Sequence, residues 1–449
     1  MGTVVIRVYH GLDEARREVL GRRVAEAFDL PAAVRARIQS VFGADLSARD
    51  VVARILDDVR VSGDEALRKY TLDFDGVEAD DLVVSNAELD GAVESIDPGL
   101  RSALEHAAAR VRAFHERSRR GSWLDFSETG ALGQLIVPLD SVGVYAPGGR
   151  AVYPSTVLMA AVPARVAGVR RVVVATPPGP DGSPNPSILA AARIAGVDAV
   201  YRVGGAQAIA ALAFGTATVE RVDKIVGPGN VFVVLAKQAV AGTVGIDGLP
   251  GPTETVVVAD GSSNPAWIAA DMLAQAEHDP LAQSILICTE QAIADAVIGE
   301  IEHQLETAPR ADVVRQSFST RGAIVVVSSV DEAIDFANDH APEHLCLSLA
   351  DPWRYVTRVR NAGGVFVGER SVEAVGDYTA GPSHIMPTGG TARFASPLNL
   401  DDFTKIISVF SFDRDGLPDL AEPAIALARA EGLAAHAAAI EARLNQVDK

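Results

Sequence analysis

Cysteine is nearly absent from this chain: Cys288 and Cys346 are the only two in 449 residues. Each sits in an apolar run, Ser284-Ile-Leu-Ile-Cys288 and His344-Leu-Cys346-Leu, so both read as buried free thiols. Without a disulfide framework or a C-x-x-C zinc knuckle, the expected compartment is the cytoplasm. A basic excess is missing as well. Forty Lys and Arg stand against 59 Asp and Glu, for a net charge of −19. Nucleic acid and anionic membranes both need basic patches, so neither is expected as a partner. No stretch approaches the roughly 20 uninterrupted apolar residues of a membrane span. The N-terminus, Met1-Gly-Thr-Val-Val-Ile-Arg-Val-Tyr-His10, runs on into Asp, Glu and Arg without the apolar region of a signal peptide. Low-complexity linkers are also lacking, which predicts closely packed domains. What is present is an ordinary globular composition, 48% hydrophobic and 22% charged, long enough for two or three domains.

The first 120 residues read mostly as helix. Leu12 to Phe28 is amphipathic, Ser47 is placed to cap a helix through Val51–Val59, and Gly63-Asp64-Glu65 starts another. Asn86 to Arg119 is helical but interrupted at Asp97-Pro98, so two helices are expected. From Leu135 the texture changes. Leu135–Pro138, Val142–Tyr145, Arg170–Thr176, Ala199–Val203 and Lys224–Val226 read as strands, several ending in Gly-rich turns. Thr156–Val166, Ser187–Gly196 and Gln207–Phe214 read as helices between them. A second alternating series follows, with strands at Glu254–Ala259, Ser284–Cys288, Ala323–Val327, Leu345–Ser348 and Gly364–Val367. The helices of that series are Pro265–Gln275, Gln291–Leu305 and Val330–Asn338. Such alternation predicts an α/β protein built from parallel, doubly wound sheets. The residues from about Leu398 read as helical, with Ala421–Leu444 one Ala-rich helix.

Four short words place histidine beside carboxylate or amide groups. They are Gln275-Ala-Glu-His278, Pro342-Glu343-His344, Gly376-Asp377 through His384, and Glu431-Gly-Leu-Ala-Ala-His436. Imidazole next to carboxylate is what a site needs to hold a divalent metal and move protons near neutral pH. Gln275 and His278, three apart at a helix end, share a face. Alone, such a pair equally describes a solvated helix end, and the H-E-x-x-H of zinc proteases is absent. Glu343-His344 enters an apolar strand and alone could be a surface ion pair. Asp377 and His384 fall in a Gly-flanked loop after a strand, where α/β proteins build sites. Glu431 and His436 are not distinguishable by spacing from surface residues. His10, His106, His115, His303 and His340 read as surface or core histidines.

The Gly-rich turns invite a dinucleotide, but no G-x-G-x-x-G occurs. Gly227-Pro-Gly229-Asn-Val-Phe232 has two of the three glycines, and its proline removes a backbone N–H that could cradle phosphate. The nucleotide fingerprint is therefore incomplete.

Taken together and in order, nine words resemble the histidinol dehydrogenase family. They are Gly143-Val-Tyr145-Ala-Pro-Gly-Gly149, Val203-Gly-Gly-Ala-Gln207, Asp223-Lys-Ile-Val-Gly-Pro-Gly-Asn230, Gly251-Pro-Thr253-Glu-Thr, Gln275-Ala-Glu-His278, Pro342-Glu343-His344-Leu, Gly376-Asp377-Tyr, Pro387-Thr-Gly-Gly-Thr-Ala and Glu431 to His436. They cover about 130 to 440; the N-terminus fits more loosely. The resemblance implies two Rossmann-like domains with helical segments at both ends. The boundaries expected are 1–37 for an N-terminal helical segment, 38–133 with 253–397 for a first α/β domain, 134–252 for a second, and 398–449 for a helical tail. It implies a zinc enzyme, one Zn²⁺ per subunit, that oxidises L-histidinol through the aldehyde to L-histidine and reduces two NAD. It also implies a homodimer whose C-terminal tail completes the partner's site. Carried over by motif, Gln275, His278, Asp377 and His436 would hold zinc, and Glu343 and His344 would be the acid/base pair. Thr253, His384 and Glu431, with Gln275, His278, His344, Asp377 and His436, would line the substrate site. Tyr145, Gln207 and Asn230 would contact NAD.

Those residue types suit the chemistry. Two neutral imidazoles, one amide oxygen and one carboxylate leave Zn²⁺ a good Lewis acid, provided its coordination can expand beyond four protein ligands. His344 can take the alcohol proton, Glu343 can activate the water needed after the aldehyde, and Glu431 suits a cationic substrate. One departure stands out: Pro250-Gly251-Pro252-Thr253-Glu254 carries an extra proline beside Thr253, where the family word usually begins with Ala. The alternative it raises is a related dehydrogenase oxidising another small polar alcohol, such as dihydroxypropane sulfonate. An anionic substrate would want a basic residue, and the site words hold none. A non-catalytic metal-bound dimer would lack one of the six metal or acid/base residues, and all six are present. A zinc hydrolase would not need the Tyr145, Gln207 and Asn230 words.

Overall fold

The structure is a computed structural model that describes residues 5–20, 30–148 and 152–444. Part of the expected helix Leu12–Phe28, from 21 to 28, and Gly149 of the first glycine word lie outside the described residues. The strands are β1 Arg7–His10, β2 Val83–Val84, β3 Trp123–Ser127, β4 Gly130–Pro138, β5 Ser141–Tyr145, β6 Arg171–Thr176, β7 Ala199–Arg202, β8 Lys224–Val226, β9 Gly245–Ile246, β10 Glu254–Ala259, β11 Gln283–Cys288, β12 Ala323–Val326, β13 His344–Ser348, β14 Gly364–Val367 and β15 Thr404–Phe412. One six-stranded sheet has the order β2-β7-β6-β5-β8-β9 and the other β1-β12-β11-β10-β13-β14. Both are parallel apart from the edge strand β2. Helices follow the strands in each, so the expected α/β, doubly wound architecture is what forms. The strands read as near-continuous apolar runs because helices cover them: every residue of β10, β11 and β13 is buried.

The chain divides into two compact units, residues 1–117 with 140–403, and residues 118–139 with 404–449. The first holds both six-stranded sheets. Within it the helices before Arg117 are grouped differently from the expected domains. Ile38, Val51, Ile55, Val59, Leu67 and Tyr70 pack into one core with Val173, Ile209 and Ile225 of the β2–β9 sheet, and β2 pairs with β7. Residues 38–84 therefore pack on that sheet and not on the 253–397 strands, while Arg110 of the helix Pro98–Arg117 donates to Thr379 O and Ala380 O, both at 3.3 Å. The start of the chain makes the opposite choice. Arg7–His10, expected as part of a helical segment, is a strand in register with Ala323–Val326, and the helix Leu12–Val19 buries Ala15 and Val19 against the β12 side of the other core. Amphipathic spacing tells which face of a helix is apolar, not which sheet it will cover.

The second unit is an antiparallel sheet in the order β15-β4-β3, with two helices. Leu135–Pro138, expected inside an α/β domain, belongs here as the end of β4, paired with β15 from Thr404↔Pro138 to Phe412↔Gly130. The tail is thus not wholly helical. Thr404-Lys-Ile-Ile-Ser-Val-Phe-Ser-Phe412 is rich in β-branched and aromatic residues and takes the strand. The single helix expected over Ala421–Leu444 is two, Leu417–Ala430 and Ala434–Leu444, broken at Gly432 with φ +74°.

The local signals are met in the fold. Ser47 Oγ accepts from Asp50 N at 3.2 Å at the start of Ala48–Ser62. Helices Asn86–Ser95 and Pro98–Arg117 divide at Asp97. Cys288 and Cys346 are buried and free. No described helix is long and apolar enough to cross a membrane.

Candidate active site

The amino edge of the β10–β13 pair carries the densest polar cluster. Residues Thr255 and His344 are directly in register there, so the chain segments just before them, Thr253-Glu254 and Pro342-Glu343, run side by side. Glu343, 7% exposed, accepts the Thr253 hydroxyl at 2.5 Å and the Glu254 N–H at 3.0 Å, both on Oε2. The Thr253 hydroxyl in turn accepts from Gln275 Nε2 at 2.5 Å. His344 is 4% exposed; its Nδ1 lies 3.1 Å from the Glu254 carbonyl, which fixes Nδ1–H as donor. Its other nitrogen, Nε2, is buried without a hydrogen-bond partner and sits 3.5 Å from Asp377 Oδ1. Gln275, His344, Glu343, Thr253 and Asp377 are thereby brought together from separate stretches of sequence.

The backbone is built to hold this arrangement. Ala341, immediately before the Pro342-Glu343-His344 word, is the one non-glycine residue with positive φ, +54°, among the described residues. That left-handed cap ends the helix Val330–His340 and turns the chain into β13. On the other side the Gly364 N–H donates to Glu343 O at 2.8 Å. Gly363 must be glycine: a Cβ there would lie 2.6 Å from Glu343 O and 3.1 Å from Met386 Cβ.

Asp377, expected in a loop at the carboxyl end of β14, lies instead on the helix Glu373–Tyr378, which brings it back to the amino edge. His384 follows in irregular chain; its Nδ1–H donates to Asp377 O at 2.8 Å and its Nε2 faces Thr156 Oγ1 at 3.2 Å. Burial holds the His384 imidazole below its ordinary pKa, in keeping with a neutral ring. His278 is not on the Gln275 helix, which ends at Ala276, but just beyond it, with its N–H directed at Gln275 O at 3.3 Å. It is exposed, yet close enough to help hold the Asp377 carboxyl below its usual value, against the effect of burial and together with His344 and His384. For His344 burial works against the charged ring, but Glu343, Asp377 and Glu373 outweigh it and lift the imidazole to about 10. Burial raises the Glu343 carboxyl. Among the described residues no three His, Cys, Asp or Glu side chains close on one metal position.

Sequence reasoning missed a second tier. Glu373, 5% exposed, accepts from Thr255 Oγ1 and, at 2.9 Å, from Cys346 Sγ. Asp271, pushed up to about 7 by burial and by Glu373, lies one helical turn before Gln275 as Glu373 does before Asp377. The i,i+4 spacing of both pairs was the available signal.

The three words that carry Tyr145, Gln207 and Asn230 lie at the carboxyl edge of the other six-stranded sheet. Strand order reverses between β5 and β8, and the loops after those strands meet there: a Cβ on Gly227 would lie 2.2 Å from Tyr145 O. The Tyr145 hydroxyl accepts the Gly205 N–H at 3.1 Å, and burial raises the phenol to about 12. Gln207 is buried in the first turn of Gly205–Phe214. Asn230 caps Val231–Val240, its Oδ1 accepting from Phe232 N at 3.0 Å and Val233 N at 3.2 Å.

A model of the histidinol dehydrogenase family matches residues 43–444. The chain belongs to that family. It is 53% identical to the histidinol dehydrogenase of Deinococcus radiodurans over 94% of this chain and 97% of that one. The histidinol dehydrogenase of a Synechococcus strain is 46% identical over 99% and 100%. The crystal structure of histidinol dehydrogenase from Elizabethkingia anophelis superposes with a TM-score of 0.92 at 33% identity, covering all of both chains. Membership in the histidinol dehydrogenase family makes this chain an oxidoreductase. Two of the residues that family resemblance singles out, Glu431 and His436, belong to the second unit, where both are exposed around the break between its two helices. The unusual Pro250 precedes Gly251, whose N–H donates to Thr388 Oγ1 at 2.6 Å, so the Pro-Gly-Pro segment is tied to the Pro387-Thr-Gly-Gly word.

Proposed function

We propose that this chain oxidises L-histidinol through L-histidinal to L-histidine, reducing two NAD at a site with one Zn²⁺ per subunit, as the last steps of histidine biosynthesis in the cytoplasm. The observation that carries the reading is the convergence of Thr253, Gln275, Glu343, His344 and Asp377 into one buried hydrogen-bonded cluster. A cation fits its donors. Asp377 is a carboxylate, Gln275 offers an amide oxygen, His278 adds an imidazole beside Asp377, and His344 Nε2 is a buried polar atom with no partner. Gln275, His278 and Asp377 would hold zinc, with His436 of a second subunit as the fourth ligand. When bound, zinc supplies positive charge to polarise the alcohol oxygen, and NAD supplies the hydride acceptor.

The chain's own residues do the rest. The carboxylates of Glu343, Asp377 and Glu373 lift His344 only while they are uncompensated; with a cation on Asp377 offsetting them, the neutral ring, its Nδ1–H anchored on Glu254 O, would receive the hydroxyl proton at Nε2. Glu343, held by Thr253 and the Glu254 N–H, takes a proton from the water that adds to the aldehyde. The carboxylates of the cluster, with Glu431 as the family resemblance would place it, favour a cationic amino alcohol over a sulfonate, which supports histidinol over the related-dehydrogenase alternative. Tyr145, Gln207 and Asn230 border the point where the strand order of the other sheet reverses, the usual place for a dinucleotide in such sheets.

A homodimer with shared sites is part of the proposal. The small β3-β4-β15 sheet exposes Trp123, Leu132, Phe410 and Phe412 on one face and Leu124 and Phe126 on the other, and a second copy of the chain would cover the first group. The test is NADH formed per L-histidinol by the zinc-loaded protein, with and without chelator. Two NADH per substrate, lost on chelation, is expected. No NADH from histidinol with zinc still bound would overturn the substrate and return the related alcohols.

A further inference from the structure

Lys237 is wholly buried, on the helix Val231–Val240 two turns beyond Asn230, and Asp247, just past β9, is almost as deep, with side chains 0% and 5% exposed. The two form an ion pair. A buried pair of charges is costly unless its remaining hydrogen-bonding capacity is filled, and an apolar pair of the same volume would often do as well. Here the pair has a specific partner. Lys237 Nζ donates to the carbonyl of Gly227 at 3.0 Å, and Asp247 Oδ2 accepts the N–H of the same residue at 2.7 Å. Gly227 has φ +113° and is wedged against the Tyr145 backbone. Both polar groups of one strained glycine are thus gripped by one ion pair, at the turn that leads to Asn230. An apolar pair would leave them buried and unsatisfied.

We infer that Lys237 and Asp247 are positioning residues for the coenzyme: the ion pair clamps the Gly227–Asn230 turn in the conformation that receives a dinucleotide before the dinucleotide arrives. Both side chains direct their polar atoms at each other and at the Gly227 peptide, so they act on the ligand through the turn. The clamp substitutes for the third glycine and the regular phosphate loop that this sequence lacks, by fixing from below a turn whose proline cannot be held by its own N–H. The inference rests on the proposed binding of NAD near Tyr145 and Asn230.

The experiment uses the full-length zinc-loaded protein and its Asp247→Asn and Lys237→Met variants, titrated with NADH and assayed with histidinol and NAD. The first substitution turns an amide donor or a weaker acceptor toward the Gly227 N–H, and the second removes the donor to the Gly227 carbonyl. The expected result is a Kd for NADH and a KM for NAD raised about tenfold or more, since the turn must then be ordered on binding. The KM for histidinol and the zinc content are expected to stay within about twofold, because the clamp lies on the other sheet from the metal cluster. Folded variants with unchanged Kd for NADH, or with both KM values raised equally, would overturn the clamp. Should the variants fail to fold, hydrogen exchange in the ligand-free wild type decides. Protection of the Gly227 amide comparable to that of β8 is expected, and exchange within seconds would overturn the inference. Wild-type protein that does not bind NADH would overturn the coenzyme reading itself, a result distinct from any ratio between variant and wild type.

Discussion

Substitution of Gly363 by Ala tests how tightly the Glu343-His344 word is held. The added Cβ would lie 2.6 Å from Glu343 O, where ordinary contact begins near 3.4 Å, so something must give by roughly 0.8 Å. The alanine has little room to yield, because Met386 Cβ at 3.1 Å and Pro387 Cδ at 3.2 Å crowd the same position. The Glu343 carbonyl is itself gripped by the Gly364 N–H at 2.8 Å, so the strand entry moves as a unit, carrying both side chains. Overpacking of this kind costs about 1–3 kcal/mol of stability. A displacement approaching 1 Å at reacting groups costs about 100-fold in rate. Gly363→Ala is therefore expected to fold with a lowered Tm and to lose on the order of 100-fold in kcat/KM for histidinol, with NADH binding unchanged. Gly299→Ala is the control. That glycine lies in the helix Gln291–Leu305 with nothing within 4 Å of its Cβ position, so stability should rise by about 0.5–1 kcal/mol and activity should not change. Gly363→Ala protein with a wild-type Tm and kcat/KM within about threefold of wild type would refute the reasoning.

His344→Asn should keep zinc and lower kcat by about 100-fold or more; metal analysis beside steady-state kinetics checks it, and near-normal turnover would remove His344 from its role. If sites are shared across a dimer, mixing inactive His344→Asn and His436→Ala chains under conditions of subunit exchange should restore roughly a quarter of wild-type activity, because each mixed dimer keeps one intact site. No recovery would place Asp377 and His436 of one site on the same chain. Phe410→Asp, on the exposed face of β15, should shift the sedimentation coefficient toward a monomer and reduce activity with it. Glu88→Gln weakens the Ser85 capping box and the bond to Arg202. Burial raises the Glu88 carboxyl, but its Ser85 and Arg202 partners outweigh that and lower it below 4.5. The stabilisation, at most about 0.5–1 kcal/mol because the exposed pair is screened by solvent, is thus full above pH 4.5 and fades as pH falls through the lowered value; a difference in denaturant melts that never shrinks as the pH is lowered through the acid range would contradict it.

What is legible in the sequence is local. Ser47 announces its helix because a cap is decided by a few neighbouring residues, and Pro98 divides its helices for the same reason. The strand β1 is illegible because its meaning lies in a partner more than three hundred residues away, His10 beside Val326. Thr404–Phe412 carries a strand signal in its β-branched and aromatic residues, masked by the Ala-rich helices after it. The site words are legible as chemistry, since imidazole, amide and carboxylate types do not depend on fold. Their placement is not. Asp377 reads as a loop residue at a carboxyl edge because the six-residue helix that returns it is too short to show periodicity. Glu373 goes unnoticed for that reason too: its i,i+4 spacing from Asp377 becomes a signal only once the segment is known to be helical.

The two sheets use opposite edges, and helix electrostatics give that choice a consequence. Helices after parallel strands begin at the carboxyl edge and end at the amino edge. At the amino edge of β10 and β13, Pro265–Ala276, Val330–His340 and Glu373–Tyr378 all end beside the cluster, turning carbonyl oxygens and the negative ends of their dipoles toward it. At the carboxyl edge of β5, β7 and β8, Pro154–Ala167, Gly205–Phe214 and Val231–Val240 begin, presenting the positive ends of their dipoles. Each terminus favours its complementary charge by about 0.3–1 kcal/mol. The backbone field thus favours the proposed dication at one edge and the proposed pyrophosphate at the other, so exchanging charged side chains within either site would be expected to retune affinity without exchanging the two ligands' places.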